Sequence, residues 1–195
     1  MMTDASTKVY CVRHALPVAD YTIDRERPLS AEGREDARRV TELLSAVPLD
    51  AAVSSPYLRS IDTIRECAAG HGLTIETDED FRERKVGETA GRYDELIRMR
   101  WADFDFAEPG GECLRSVEER NMRAFSRLLA EHRGESVLFG THGTALSVIL
   151  HFYDPAWDYR GFRRIRSWMP WVIRLDFDGE KYVGREELLF VDKKR

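Results

Sequence analysis

Apolar and polar residues alternate along this chain with two periods, and the switches between them outline its elements. Residues 8–13 form a short β-rich run. In PLSAEGREDARRVTELLSAV, Ala37, Val40, Leu44 and Val47 recur at helical spacing, with Ser30 placed to cap the helix start. LDAAVSS predicts a second strand. PYLRSIDTIRECAAG predicts a second helix, with Pro56 in its first turn and Gly70 just past its end. LTIET predicts a third strand, and an irregular charged stretch, FRERKVGETAGR, leads to a short helix over residues 93–101. SVEERNMRAFSRLLAEHRG opens on a capping box, Ser116 with Glu119, and closes at Gly134. ESVLFGT predicts a fourth strand, followed by a helix over residues 144–151. WVIRLDF and EKYVGREELLF, joined at Asp178-Gly179, predict a hairpin.

Strands alternating with helices at this spacing predict an α/β fold. The expected form is a three-layer αβα sandwich, its central sheet mostly parallel, with helices on both faces and a C-terminal antiparallel hairpin. Repeats, low-complexity tracts and linkers are absent, so residues 1–195 are expected to form a single domain. Ligands of such sheets bind beyond the carboxyl ends of the strands. Two of the apolar runs end there on unusual residues: the first on Arg13-His14, the fourth on Thr141-His142.

Composition narrows the picture. An apolar content of 43% and a charged content of 33% suit a soluble protein, and no apolar run is long enough to span a bilayer. MMTDASTKVY lacks the apolar core of an export signal, so a cytoplasmic location is expected. A net charge of −5 speaks against general affinity for nucleic acid. Cys11, Cys67 and Cys113 lie far apart with no CxxC pair, which disfavours a disulfide framework or a zinc site; Cys11 reads as a small core residue. ADFDFAEPGGE is expected to be a solvated loop rather than a cation site. Neither a metal nor an organic cofactor is expected.

Four stretches carry the candidate chemistry: RHA at 13–15, SSPYLRSIDT at 54–63, FRERKVGETAGR at 81–92 and GTHGTALS at 140–147. In this order and at these separations they resemble the histidine phosphatase superfamily, also called the phosphoglycerate mutase family. Its RHG-type motif reads Arg13-His14-Ala15 here. Its SSPxxRAxxT motif reads Ser54-Ser55-Pro56 through Arg59 to Thr63. Its glutamate before a GxxxG segment reads Glu83 before Gly87 and Gly91, and its HG reads His142-Gly143. The resemblance runs from about residue 8 to residue 152. The departures are Ala15 for the usual Gly, Ser60 for the usual Ala, and Thr89-Ala90 where many members have Trp-Glu.

The resemblance implies phosphoryl transfer with His14 as nucleophile, forming a phosphohistidine. Arg13 and Arg59 would hold the phosphate oxygens with planar donor forks. His142 would complete the pocket as a charged donor, and the helix opening near Thr144 would add backbone N–H groups. Two neighbouring guanidiniums keep His14 neutral, as a nucleophile must be. Glu83 would protonate the leaving oxygen and then draw a proton from water, with Glu88 the competing candidate. Arg25, Arg27, Arg92 and Gly143 are expected as further substrate contacts, and Tyr21, Tyr93 and Trp101 as either an apolar wall or core.

One helix, one strand and an acidic, Gly-rich loop fill most of the segment from Glu83 to His142, which leaves no room for a large cap. That resembles the compact phosphatase branch, so hydrolysis of a small-molecule phosphate ester is expected, and a phosphoglycerate mutase-type transfer on the same site is the alternative. RGFRRIR at 160–166 offers a different class, a basic patch on a binding module, against the reading of a solvated loop. A serine hydrolase is disfavoured, since no GxSxG elbow occurs. The hairpin bearing Trp168 and Trp171 is expected to serve packing, with a homodimer edge as its other reading.

Overall fold

Six strands pair into one sheet in the computed structural model, which describes residues 6–194. They are β1 (Thr7–Arg13), β2 (Ala51–Ser54), β3 (Ile75–Thr77), β4 (Ser136–Thr141), β5 (Trp168–Asp178) and β6 (Lys181–Asp192). Their order is β3-β2-β4-β1-β5-β6. The pairs β3–β2, β2–β4 and β4–β1 are parallel, while β5 runs antiparallel to β1 and to β6. Residues 1–5, half of the stretch read as lacking an export signal, lie outside the described residues.

The helices are α1 (Ala31–Leu44), α2 (Leu58–Gly70), α3 (Tyr93–Ala102), α4 (Leu114–Glu131), α5 (Gly143–Tyr153) and α6 (Tyr159–Ile165). The pleat of β1 sorts the core into two layers. Tyr10 and Val12 face one side, packing with Val40 and Leu44 of α1 and Ile64, Cys67 and Ala68 of α2. Val9 and Cys11 face the other, packing with Phe125 and Leu128 of α4, Ile149 of α5 and Ile165 of α6. Buried on both faces, the inner strands read as continuous apolar runs. The expected three-layer αβα sandwich is the architecture found.

Ser30 caps α1 as expected, its Oγ accepting from the Gly33 N–H at 2.9 Å. The other ends differ in instructive ways. Gly70 is the last residue of α2, and the left-handed turn falls on Gly72, at φ 70°. The capping box at Ser116 does not form. The helix starts at Leu114, capped by Cys113, because Leu114 and Val117 are buried against Val148 and carry the helix back by a turn. Apolar burial there outweighs the weaker preference of a serine for the cap. RGFRRIR is helical rather than a solvated loop: Phe162 and Ile165 anchor α6 in the core while its arginines face out.

Candidate active site at the strand ends

β1 and β4 are neighbours in parallel register, so their last residues, Arg13 and Thr141, lie side by side. The His14 N–H donates to the Thr141 carbonyl at 3.0 Å, which carries the pairing one residue past the strand and fixes both histidines at one edge. The His14 and His142 rings stand edge to face, centroids 5.3 Å apart. Arg59 enters from the first turn of α2, whose loop is tied to the first motif. Thr63 donates to the Arg59 carbonyl at 2.7 Å and accepts from the Ala15 N–H at 2.9 Å.

Each group is held by some of its atoms and leaves others free. His14 donates from Nδ1 to the Ala15 carbonyl at 2.8 Å; a carbonyl only accepts, so in the neutral ring Nε2 carries the lone pair. Arg13 donates from Nη1 to the Ile165 carbonyl at 2.5 Å and from Nη2 to that of Arg166 at 3.1 Å, leaving Nε buried without a partner. Arg59 gives its Nη1 to the Asp24 carbonyl at 2.7 Å, and both terminal nitrogens reach the Asp24 carboxylate, at 3.1 and 3.4 Å. Its Cζ lies 4.9 Å from the centre of the Tyr57 ring. His142 is fully buried, with Nε2 2.7 Å from the Ser55 hydroxyl and Nδ1 unpartnered. Buried polar atoms without partners are rare. Two of them here, Arg13 Nε and His142 Nδ1, flank the nucleophile candidate.

Electrostatics keep both rings neutral. Burial, then Arg59 and Arg13, hold His14 well below the ordinary histidine range. Burial, then Arg59 and His14, do the same for His142. His142 is therefore a neutral ring in the free protein, not the charged donor expected from sequence. Burial also lowers Arg13 to about 10, with Glu83 acting against it, and Arg13 stays charged at neutral pH.

Glu83 sits at the start of α5. Its carboxylate accepts from the Thr144 N–H at 3.0 Å, the Ala145 N–H at 3.2 Å and the Arg84 N–H at 2.8 Å. The backbone donors expected to meet a phosphate are thus taken by Glu83, which the positive end of the helix draws in. Glu83 also borders a cavity of ≈ 70 Å³ shared with Val86, Tyr93, Trp101, Thr144 and Phe162. Glu88 is exposed, off that wall.

The outlying candidates separate clearly. Arg27 braces the loop after β1, donating to the carbonyls of Val18 at 2.5 Å and Ala19 at 2.8 Å. Arg92 is exposed and paired with Glu95, and Arg25 with Glu79. Gly143 serves Arg13: a Cβ there would stand 3.1 Å from the guanidinium carbon. Tyr21 is exposed, while Tyr93, also exposed, and Trp101, half-buried against Phe104 and Phe162, line the cavity beside Glu83. ADFDFAEPGGE is not simply solvated, because Glu108 and Glu112 are turned inward onto arginines. Sequence reasoning missed Asp24 and the carbonyls of α6, which hold the two arginines from 35 and 152 residues away. No local pattern signals either.

A mostly parallel sheet covered on both faces, with its candidate chemistry at the carboxyl ends of its parallel strands, is a phosphoglycerate mutase-like α/β fold. The chain belongs to the histidine phosphatase superfamily, branch 1, whose family model matches residues 9–186. A phosphoglycerate mutase-like protein from Arabidopsis thaliana is 34% identical over 166 residues, 79% of this chain and 71% of that protein. A 2,3-bisphosphoglycerate-dependent phosphoglycerate mutase from Gloeobacter violaceus is 32% identical over 141 residues, 65% of this chain and 64% of its own length. Among solved structures, a mycobacterial glucosyl-3-phosphoglycerate phosphatase superposes with a TM-score of 0.75 at 18% identity, covering 93% of this chain and 97% of that one. A Bacillus anthracis phosphoglycerate mutase superposes at 0.71 with 17% identity, covering 98% of this chain and 95% of that one. No helix among the described residues is long and apolar enough to cross a membrane.

Proposed function

We propose that this protein, a single catalytic domain, is a phosphomonoester hydrolase that works through a phosphohistidine on His14. The observation that carries the reading is the state of His14: a buried neutral imidazole, its Nδ1 committed to the Ala15 carbonyl, its Nε2 lone pair free, and two guanidiniums beside it. Nε2 attacks phosphorus in line, and the bond to the ester oxygen breaks as the N–P bond forms. Arg13 Nε, Arg59 and His142 Nδ1 carry the charge on the equatorial oxygens. Glu83 protonates the departing alkoxide, then takes a proton from the water that attacks the phosphohistidine, releasing inorganic phosphate and the free ring. A carboxyl that acts as an acid must hold its proton while substrate is bound, and the incoming dianion favours that. Water is the acceptor because the short segment between Glu83 and His142 builds no large cap to hold a second substrate.

The competing reading is transfer to a second substrate oxygen, favoured by relatives named as phosphoglycerate mutases. Hydrolysis of p-nitrophenyl phosphate, with EDTA present, separates them. Wild type is expected to turn over and His14→Ala to be inactive. Turnover undiminished in His14→Ala would overturn the phosphohistidine. Inactivity of wild type on phosphate esters, with transfer on 3-phosphoglycerate primed by its bisphosphate, would establish the mutase.

A further inference from the structure

Only a neutral imidazole has a choice of tautomer, and His142 is neutral in this pocket. Its single N–H sits on Nδ1 or on Nε2. On Nδ1 the ring faces the unpartnered side of the pocket as a donor. On Nε2 the same edge shows a lone pair, which repels a phosphate oxygen.

Ser55 decides between them. It is fully buried, one residue past the end of β2, with its N–H donating to the Gly140 carbonyl at 3.0 Å. Its Oγ accepts from the Tyr57 N–H at 3.3 Å and lies 2.7 Å from His142 Nε2. The hydroxyl has one hydrogen, and among the described residues His142 Nε2 is the only acceptor within its reach. If Nε2 carried the ring proton instead, the hydroxyl hydrogen would be buried with nothing to bond. Donation from Ser55 to Nε2 satisfies the hydroxyl and leaves Nε2 without a proton. It accounts as well for the unpartnered Nδ1, which is then a buried N–H left free to donate.

We propose that Ser55 is a positioning residue that sets the tautomer of His142, fixing its proton on Nδ1 so that the ring meets phosphate as a hydrogen-bond donor. Gly140 makes room for this corner, since a Cβ there would stand 2.7 Å from Ser54 Oγ and 2.9 Å from Ser60 Oγ. The proposal rests on reading the pocket as an anion site, but its first test needs no turnover.

Protein labelled with ¹⁵N-histidine is examined by long-range ¹H–¹⁵N NMR near neutral pH, with His142 assigned through His142→Gln. The wild type is expected to show a protonated Nδ1 and a bare Nε2. In Ser55→Ala, the His142 proton is expected to shift toward Nε2, and inhibition by inorganic phosphate to weaken by about 10- to 100-fold. A protonated Nε2 in the wild type overturns the proposal whether or not the variant folds. An unchanged tautomer in folded Ser55→Ala overturns it too. If the tautomer is as proposed but the wild type hydrolyses no ester, the hydrolase reading fails and the role of Ser55 stands.

Discussion

Five arginines are buried among the described residues, and they divide into two settings. Arg84 and Arg100 grip the two oxygens of Glu108, each at 2.8 Å, and all three side chains are almost fully buried. Beside them Arg120 grips Glu112 and donates to the carbonyls of Asp80, Arg82 and Glu83. In that corner every buried guanidinium touches a carboxylate inside the protein, Arg84 and Arg100 sharing one. Burial pushes the Glu108 carboxyl up, but hydrogen bonds from Arg84, the Gly87 N–H and Arg100 outweigh it and hold it at about 2. At the strand ends the arrangement is the reverse. Arg13 is held by carbonyls and keeps a buried Nε with no partner. Among the described residues Arg59 has only Asp24, more than half exposed, as ion-pair partner. A closed set of charges braces a loop, whereas an open set waits for an anion. The closed corner holds in place the backbone that carries Glu83, so the framework serves the pocket.

The largest effect expected from breaking this contrast is on turnover. His14→Ala should lose roughly 10⁴- to 10⁶-fold in kcat with an unchanged melting curve at neutral pH, checked by p-nitrophenyl phosphate hydrolysis and thermal unfolding. Arg59→Lys should cost about 10²- to 10³-fold, because an ammonium supplies no fork and cannot reproduce a preorganised donor. Glu83→Gln should slow alkyl phosphates by about 10²- to 10⁴-fold and p-nitrophenyl phosphate far less, since a good leaving group needs no proton. Glu88→Gln should track the wild type on both.

In the closed corner the expected loss is in stability. Glu108→Gln leaves two buried guanidiniums with a neutral partner and should cost about 3–5 kcal/mol of unfolding free energy. A denaturant titration measures it, and kcat per folded molecule should hold.

The smallest effect is a pH signature with two windows. The folded protein keeps His14 and His142 neutral below the ordinary value of 6.5, so beneath that pH the unfolded chain binds more protons. Stability contributed by the pocket is therefore complete above 6.5 and declines as pH falls toward the depressed folded values. The Glu108 contribution is complete above 4.5 and is lost as pH falls toward about 2. Melting temperature followed from neutral to acid pH should fall in both windows, and His14→Ala should make only the upper fall shallower, His142 still contributing to it.

What could be read from sequence follows from how local each signal is. Arg13-His14 and His142 are adjacent to apolar runs, so a strand assignment and the parallel-sheet rule placed them at one edge. α6 was missed because only Phe162 and Ile165 of its seven residues are buried, too short a stripe to outweigh three arginines. The clamps on the arginines, the ion pairs to Glu108 and Glu112, and the capture of Glu83 by the α5 N-terminus are tertiary events between distant residues. The neutrality of His142 was illegible for the same reason, since burial sets it, and burial belongs to the fold.

The placement of β1 has a consequence for when activity can appear. The strand that ends on Arg13, with His14 next, precedes both of its sheet neighbours, β4 and β5, and its arginine is fastened to carbonyls at residues 165 and 166. Such distant pairings impose loop-closure entropy before they reward it, which slows their formation. During synthesis the proposed nucleophile therefore emerges well before β4, β5 and the carbonyls that fasten Arg13. A nascent chain ending before α6 would carry every candidate site residue named here and still lack the carbonyls that hold Arg13.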